Sequence, residues 1–336
     1  MTAPSSELES HLLGSPEGEE PTPETGVVLS KSPMQLAMGR LRKDRLTMVS
    51  LCIVVFFLIA AILAPILYAA GLLDPFKANQ DLLDANTLPI GRWSGMSWEH
   101  PLGVEPGNGR DALSRIWYGI TFSLGIAITA TIIAVTLGVV LGIVSGASGG
   151  WLDAIIGRIT DLTLAFPQTL MLLALSAPAL AFIIEVLNVP TGPPAQGFYV
   201  IVVLGLFGWT GVARVTRGQV LTLREREFVH AAELTGASRS RIYFKEILPN
   251  LWAPILVQLT LMLPAFVSAE AALSYLQVSI QPPTPTLGNV LFDALRYADT
   301  SFIYFFGPAI LIATIVISFN LLGDGLRDAL DPKGNR

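Results

Sequence analysis

Residues 46–73 read LTMVSLCIVVFFLIAAILAPILYAAGLL, a stretch with no Asp, Glu, Lys or Arg. About 20 apolar residues are enough for a helix to cross the hydrocarbon core of a bilayer. Five more uncharged runs follow, at 116–152, 162–184, 186–213, 247–269 and 300–323. Lipid offers no partner to a backbone N–H or C=O, so each run is expected to satisfy its own groups as a helix. The composition agrees: 52% of the 336 residues are hydrophobic and only 14% are charged, against about 25% in soluble domains. The competing reading is a large soluble protein with buried core helices, but soluble cores rarely need six such runs in 336 residues. The expected fold class is an all-α membrane protein with six transmembrane helices, its membrane domain covering 46–323.

Lys31, Arg40, Arg42, Lys43 and Arg45 precede the first run, and the positive-inside rule places that flank in the cytoplasm. Six crossings return the C-terminal segment 324–336 to the same side. The inside segments then carry 16 of the 21 basic residues, seven of them between Arg214 and Lys245. The expected location is therefore the bacterial inner membrane, multi-pass, with both termini cytoplasmic. Residues 1–30 hold six Glu and no Lys or Arg, which reads as a disordered acidic tail. Within 31–45, Met34, Ala37, Met38 and Leu41 recur at helical spacing among basic residues, as in an amphipathic helix on the membrane surface. An extended cytoplasmic end of the first span is the other reading.

The individual spans are placed at 46–68, 122–144, 159–187, 198–215, from about 250, and 302–322. The glycine-rich run 146–150 makes an inner turn. Pro167 and Pro178 are expected to kink the third span. Two outer loops, 70–115 and 277–301, are long enough to be structured. Pro282, Pro283 and Pro285 predict that the second is stiff and non-helical. The single cysteine, Cys52, allows no internal disulfide, and no Cys/His cluster suggests a metal site.

The informative inside segment is 214–250. From Arg224 it reads REREFVHAAELTGASRSRIYFKEILPNL. Its first half is helix-forming up to Leu234. Gly236 then supplies a C-cap, because glycine adopts positive φ without a steric penalty. Ser238 can cap a second helix through Ile242, Phe244 and Ile247, and Pro249 marks the change to the fifth span. Helix, glycine turn and helix make a sharply turned knob. A basic helix lying on anionic headgroups is the competing reading.

His230-Ala231-Ala232-Glu233-Leu234-Thr235-Gly236, followed after ten residues by Ile247-Leu248-Pro249, resembles the EAA loop of ABC importer permeases. His230 and Glu246 depart from that pattern. His100-Pro101-Leu102-Gly103 with Gly109-Arg110-Asp111 is similar to the outer-loop signature of the C-type subunit of the dipeptide/oligopeptide transporter family. Here Val104-Glu105 replaces Thr-Asp in a segment one residue longer. Glu270-Ala271, Leu273-Ser274-Tyr275-Leu276 and Phe319 to Asp328 extend the likeness, which covers about 40–333.

The resemblance implies a type I ABC importer permease fold. It also implies a role as the permease subunit of an ATP-driven importer for di- and oligopeptides, working by alternating access. Ala231, Ala232, Glu233, Leu234, Thr235, Gly236 and Ala237, with Pro249 behind them, would form the ATPase-coupling loop. The implied partners are a second homologous permease in a heterodimer, two ATP-binding subunits, an extracytoplasmic peptide-binding protein and membrane lipid, with no nucleic acid. The alternatives are a permease of the same class for nickel chelates or glutathione, or a secondary transporter.

The sequence contains no Gly-x-x-x-x-Gly-Lys-Ser/Thr phosphate cradle, and no Ser/His/Asp or paired-carboxylate site. No enzymatic activity and no cofactor are expected in this chain, so ATP and Mg would be bound on the partner subunits. Polar residues within spans are candidates for the translocation path or a gate. They are Glu270, Gln258, Gln168 and Asp161. Asp161 has an alternative as an i, i+3 partner of Arg158. Glu270 has one as a pin for the proline-rich loop through backbone N–H groups.

Overall fold

The computed structural model describes residues 38–91 and 93–330. The acidic tail and most of the 31–45 segment lie outside them; a single helical turn, 38–41, begins the description. The main helices are α1 (Arg45–Ala69), α2 (Ala112–Ser148), α3 (Gly150–Ala165), α4 (Gln168–Glu185), α5 (Pro193–Leu223), α6 (Glu227–Leu234), α7 (Arg239–Tyr275), α8 (Leu287–Leu295) and α9 (Phe302–Leu330). Six of these, α1, α2, α4, α5, α7 and α9, are long and apolar enough to cross a membrane.

Asp44 starts α1 by accepting from the Leu46 N–H at 3.0 Å and from the Thr47 hydroxyl. Thr47, Ser50, Val54, Phe57, Ala60 and Ala64 form its buried stripe, at helical spacing. Pro65 lies inside α1 and has no N–H, so the carbonyl of Ala61 loses its helical donor. Thr121 on α2 donates its hydroxyl to that carbonyl at 2.7 Å, and the Trp117 indole N–H donates to Ala60 O at 3.0 Å. In lipid, an orphaned carbonyl has to be satisfied by a neighbouring helix in this way.

The spine of the bundle is the α2–α5 pair. Gly138, Gly142 and Gly146 recur every fourth residue on α2. A Cβ at these three positions would lie 2.5 Å from Val212 Cβ, 2.6 Å from Thr216 Cβ and 2.8 Å from Val220 Cβ. Only glycine lets the backbones come this close, the small-residue solution to packing without a hydrophobic drive between helices. At 37 residues, α2 is about 55 Å long, well beyond the span of 122–144 expected from sequence.

The remaining differences also have local causes. The third span is two helices rather than one kinked helix. Phe166 is extended and Pro167 caps α4, because proline disfavours the α conformation in the residue before it. Loop 277–301 is not wholly non-helical. After its prolines, Thr286 and Asn289 form a reciprocal capping box that opens α8, satisfying two orphan donors. Pro249 does not end a helix. The path stays helical from Arg239, through a π turn (Ile242–Ile247) and a 3-10 turn (Leu248–Leu251), into Trp252–Tyr275. The π register, with Leu248 N–H bonded to Tyr243 O, accommodates the missing proline donor without a break.

At the end of the bundle where α2 begins, the long loop folds back as a cap. Asp111 accepts from Ser114 N–H at 2.7 Å and lies 2.9 Å from His100 Nδ1. Glu105 receives two bonds from Arg110, at 2.7 and 2.8 Å, and lies 3.2 Å from Arg115 Nε. The Arg115 side chain is fully buried; it also donates to Pro283 O at 3.3 Å and lies 3.9 Å from Asp293. Burial, and next the Glu105 carboxylate, push Asp293 above the usual carboxylate range, against the pull of Arg115.

Candidate functional site

The opposite end of the bundle carries α6, eight residues long. Arg224, just past α5, donates to Gly146 O at 3.3 Å and ties the exit to the end of α2. Val229 is only 1% exposed and packs with Ile242, Ile247 and Leu251, while Ala232 and Ala237 lean partly on the same cluster. Tyr243 and Ser148 share a hydroxyl contact of 3.1 Å. One face of α6 is therefore anchored to α2, α5 and the start of α7.

The helix stops in a Schellman motif. Gly236 has φ +79° and its N–H bonds Glu233 O at 2.9 Å, while Ala237 N–H bonds Ala232 O at 3.0 Å. These are the 5→2 and 6→1 bonds that define the motif. Nothing lies within 4 Å of a Cβ built on Gly236, so its constraint is conformational rather than steric. Ser238 then accepts from Arg241 N–H at 3.3 Å, opening α7. The outward face presents His230, Ala231, Glu233, Leu234 and Thr235. Leu234 is 89% exposed, an apolar side chain held at the tip of a fixed turn.

Of the predicted site residues, Ala231 to Ala237 are thus brought together on α6 and its turn, with Ala232 and Ala237 facing inward. Pro249 is exposed on the helical path behind them. The four polar candidates are scattered. Asp161 pairs with Arg214 on α5 at 2.8 Å rather than with Arg158, because the two helices lie side by side. Gln168 is exposed at the start of α4. Gln258 lines a cavity of about 610 Å³ with Gln219, Asn250, Pro254 and Arg327. Glu270 is fully buried and accepts hydroxyl bonds from Ser123, Ser274 and Ser279 at 2.8–2.9 Å. Ser123 in turn accepts from Leu287 N–H at 3.0 Å. Glu270 therefore holds the start of α8 through a serine instead of bonding its backbone directly.

Sequence reasoning missed the brace beneath the knob. Arg217 makes two bonds to Asp153, at 2.6 and 2.7 Å, and Ser145 donates to the same carboxylate. Its partners lie 64 residues apart, so no local pattern exposes it. The Arg217 bonds hold Asp153 down at about 2, from an ordinary 3.8, against the opposing effect of burial. A depressed carboxyl stabilises the fold above its unfolded value and loses that contribution as pH falls through the folded value. Thermal stability in detergent should therefore drop between about pH 4 and pH 2. Asp153→Asn should show a smaller drop across that window, and an unchanged drop would disconnect the brace from stability.

A helical bundle with six candidate spans and an anchored knob at one end is the architecture of a multi-pass membrane protein. Residues 138–336 match the family described as binding-protein-dependent transport system inner membrane component. Residues 32–89 match the N-terminal transmembrane domain of oligopeptide transport permease C. The chain belongs to the binding-protein-dependent transport system inner membrane component family. It is 36% identical over 324 residues to the dipeptide transport system permease protein DppC of Alkalihalophilus pseudofirmus, covering 96% of each chain. It is 35% identical over 308 residues to the oligopeptide transport system permease protein OppC of Bacillus subtilis, covering 91% of this chain and 92% of that one. In structure it resembles the methionine ABC transporter MetNI in an inward-facing conformation. The TM-score is 0.52 at 16% identity, over 65% of this chain and 97% of that one. The fold is that of a type I ABC importer permease.

Proposed function

We propose that this chain forms half of the translocation pathway of an ATP-driven importer of di- and oligopeptides. A second, homologous permease supplies the other half, and two ATP-binding subunits hydrolyse ATP with Mg. An extracytoplasmic binding protein delivers the peptide. The knob is the contact through which ATPase motion reaches the bundle. The observation that carries this reading is the geometry of α6: one face anchored by Val229, the other offering Leu234 at 89% exposure beyond a Schellman turn. Leu234, with Phe228 and Phe244 also exposed on this loop, offers apolar area whose burial in a cleft on another protein is favourable. Clustering of basic residues around α6 supports a cytoplasmic position for this end in the bacterial inner membrane. The names of the two relatives support the peptide substrate.

The test is ATP hydrolysis by the complex that co-purifies with this chain, reconstituted in nanodiscs. Binding protein loaded with a mixed peptide pool is expected to raise the rate above that of unloaded binding protein. If no ATPase subunit co-purifies, and vesicle uptake instead follows an ion gradient, the proposal is wrong.

A further inference from the structure

The unexpected partner of Asp161 leaves a cation over. A cavity of about 380 Å³ opens between α3 and α5, and its charged lining is Asp153, Asp161, Arg158, Arg214 and Arg217. Arg217 is engaged by Asp153 and Arg214 by Asp161. Arg158 has no hydrogen-bond or ion-pair acceptor among the described residues. Three guanidiniums against two carboxylates leave this lining one positive charge in excess.

The cavity also has a defined depth. Ser145 on its wall stands three residues before the end of α2, and Arg217 and Arg214 stand six and nine before the end of α5. At 1.5 Å per residue the site lies about 5–14 Å from those helix ends. At 31 residues, α5 is about 46 Å long, more than the roughly 30 Å hydrocarbon core, so this end of it is expected among the headgroups on the side that carries the basic segments. Beside it, Trp151, Ile155, Ile159 and Leu162 are exposed on α3, spaced by three or four residues, and Phe166 is exposed just past its end. Arg158 lies on the same side of the helix, between Ile155 and Leu162. An apolar stripe with an unpaired guanidinium near the basic end of the bundle is complementary to a molecule with a phosphate head and acyl chains.

We propose that this cavity binds an anionic phospholipid. Arg158 and the half-exposed Arg214 receive the phosphate, and the acyl chains lie along the Trp151–Phe166 stripe. The site is built wholly from this chain and does not depend on what is transported.

Native mass spectrometry tests it on the full-length chain, purified with whatever subunits accompany it. The titrants are phosphatidylglycerol and phosphatidylcholine with the same acyl chains. Phosphatidylglycerol should bind more tightly, and Arg158→Gln should weaken it about fivefold, as expected for one basic residue at a membrane surface. Phosphatidylcholine binding should not change, and Arg158→Lys should keep most of the preference. Equal binding of the two lipids, or a preference unaffected by Arg158→Gln, would overturn the proposal. So would displacement of phosphatidylglycerol by millimolar inorganic phosphate, which would make the ligand a soluble anion. Separation of accompanying subunits in Arg158→Gln would assign the face to a protein interface and overturn it likewise.

Discussion

Leu234→Glu is expected to reduce peptide-stimulated ATP hydrolysis at least tenfold, with the bundle's thermal stability unchanged. Leu234 makes almost no contact within its own chain, so replacing it removes nothing the fold uses. Surface changes of that kind usually stay within about 0.5 kcal/mol of stability. In the proposed docking, the substitution would drive an unpaired carboxylate into an apolar cleft of the partner, at a desolvation penalty of several kcal/mol. Gly236 separates contact from conformation. Gly236→Leu forces a branched side chain into the left-handed region, at roughly 1–2 kcal/mol, and opens the Schellman turn. Gly236→Asn tolerates that region and should retain most of the coupling. If Leu234→Glu hydrolyses ATP at the wild-type stimulated rate, docking takes place elsewhere and α6 is only a structural turn.

The second large effect lies at the other end of the molecule. Glu105→Leu should destabilise the cap by about 3–5 kcal/mol, the usual cost of leaving a buried charge without its partner. Glu105 is the acceptor for Arg110 and the nearest carboxylate to the fully buried Arg115. Without it, two guanidiniums face each other with only Asp293 nearby, 3.9 Å from Arg115. Hydrogen exchange is the fitting measurement, because the cap can open without unfolding the spans. Faster exchange is expected at the Glu105 and Asn79 amides, whose bonds to Arg110 O and Gly109 O close the loop. Unchanged protection there would show that the ion cluster is dispensable. The position itself was visible in sequence as a departure from the family's Thr-Asp, but nothing in the local string revealed its two arginine partners.

That contrast marks what could be read from the chain. Features fixed by a few neighbouring residues were legible. The first span was placed at 46–68 and found at Arg45–Ala69. The turn at Gly236 and the Ser238 cap followed from the conformational freedom of glycine and the reach of a serine hydroxyl. Features that depend on two helices lying side by side were not. Asp161 turned away from Arg158, three residues back, to Arg214, 53 residues on. Glu270 found three serines rather than a pore or a backbone. The prolines show an intermediate case: each marks a perturbation, but the packing decides its form. Pro65 is tolerated because Thr121 reaches the freed carbonyl, Pro167 breaks the chain into two helices, and Pro249 is absorbed by a change of helical register.

The glycine seam between α2 and α5 has a mechanical consequence. Backbones that touch at Gly138, Gly142 and Gly146 cannot slide past one another without lifting a valine or threonine over a backbone ridge. Such a seam would hold the pair together as a single rod, running from the charged cap to the knob. With a length of about 55 Å, a tilt of about 5° pivoting at the cap carries the knob end through roughly 5 Å. A small rotation at one mouth becomes a full helical turn of travel at the other. The stiffness of the lever resides in three missing side chains.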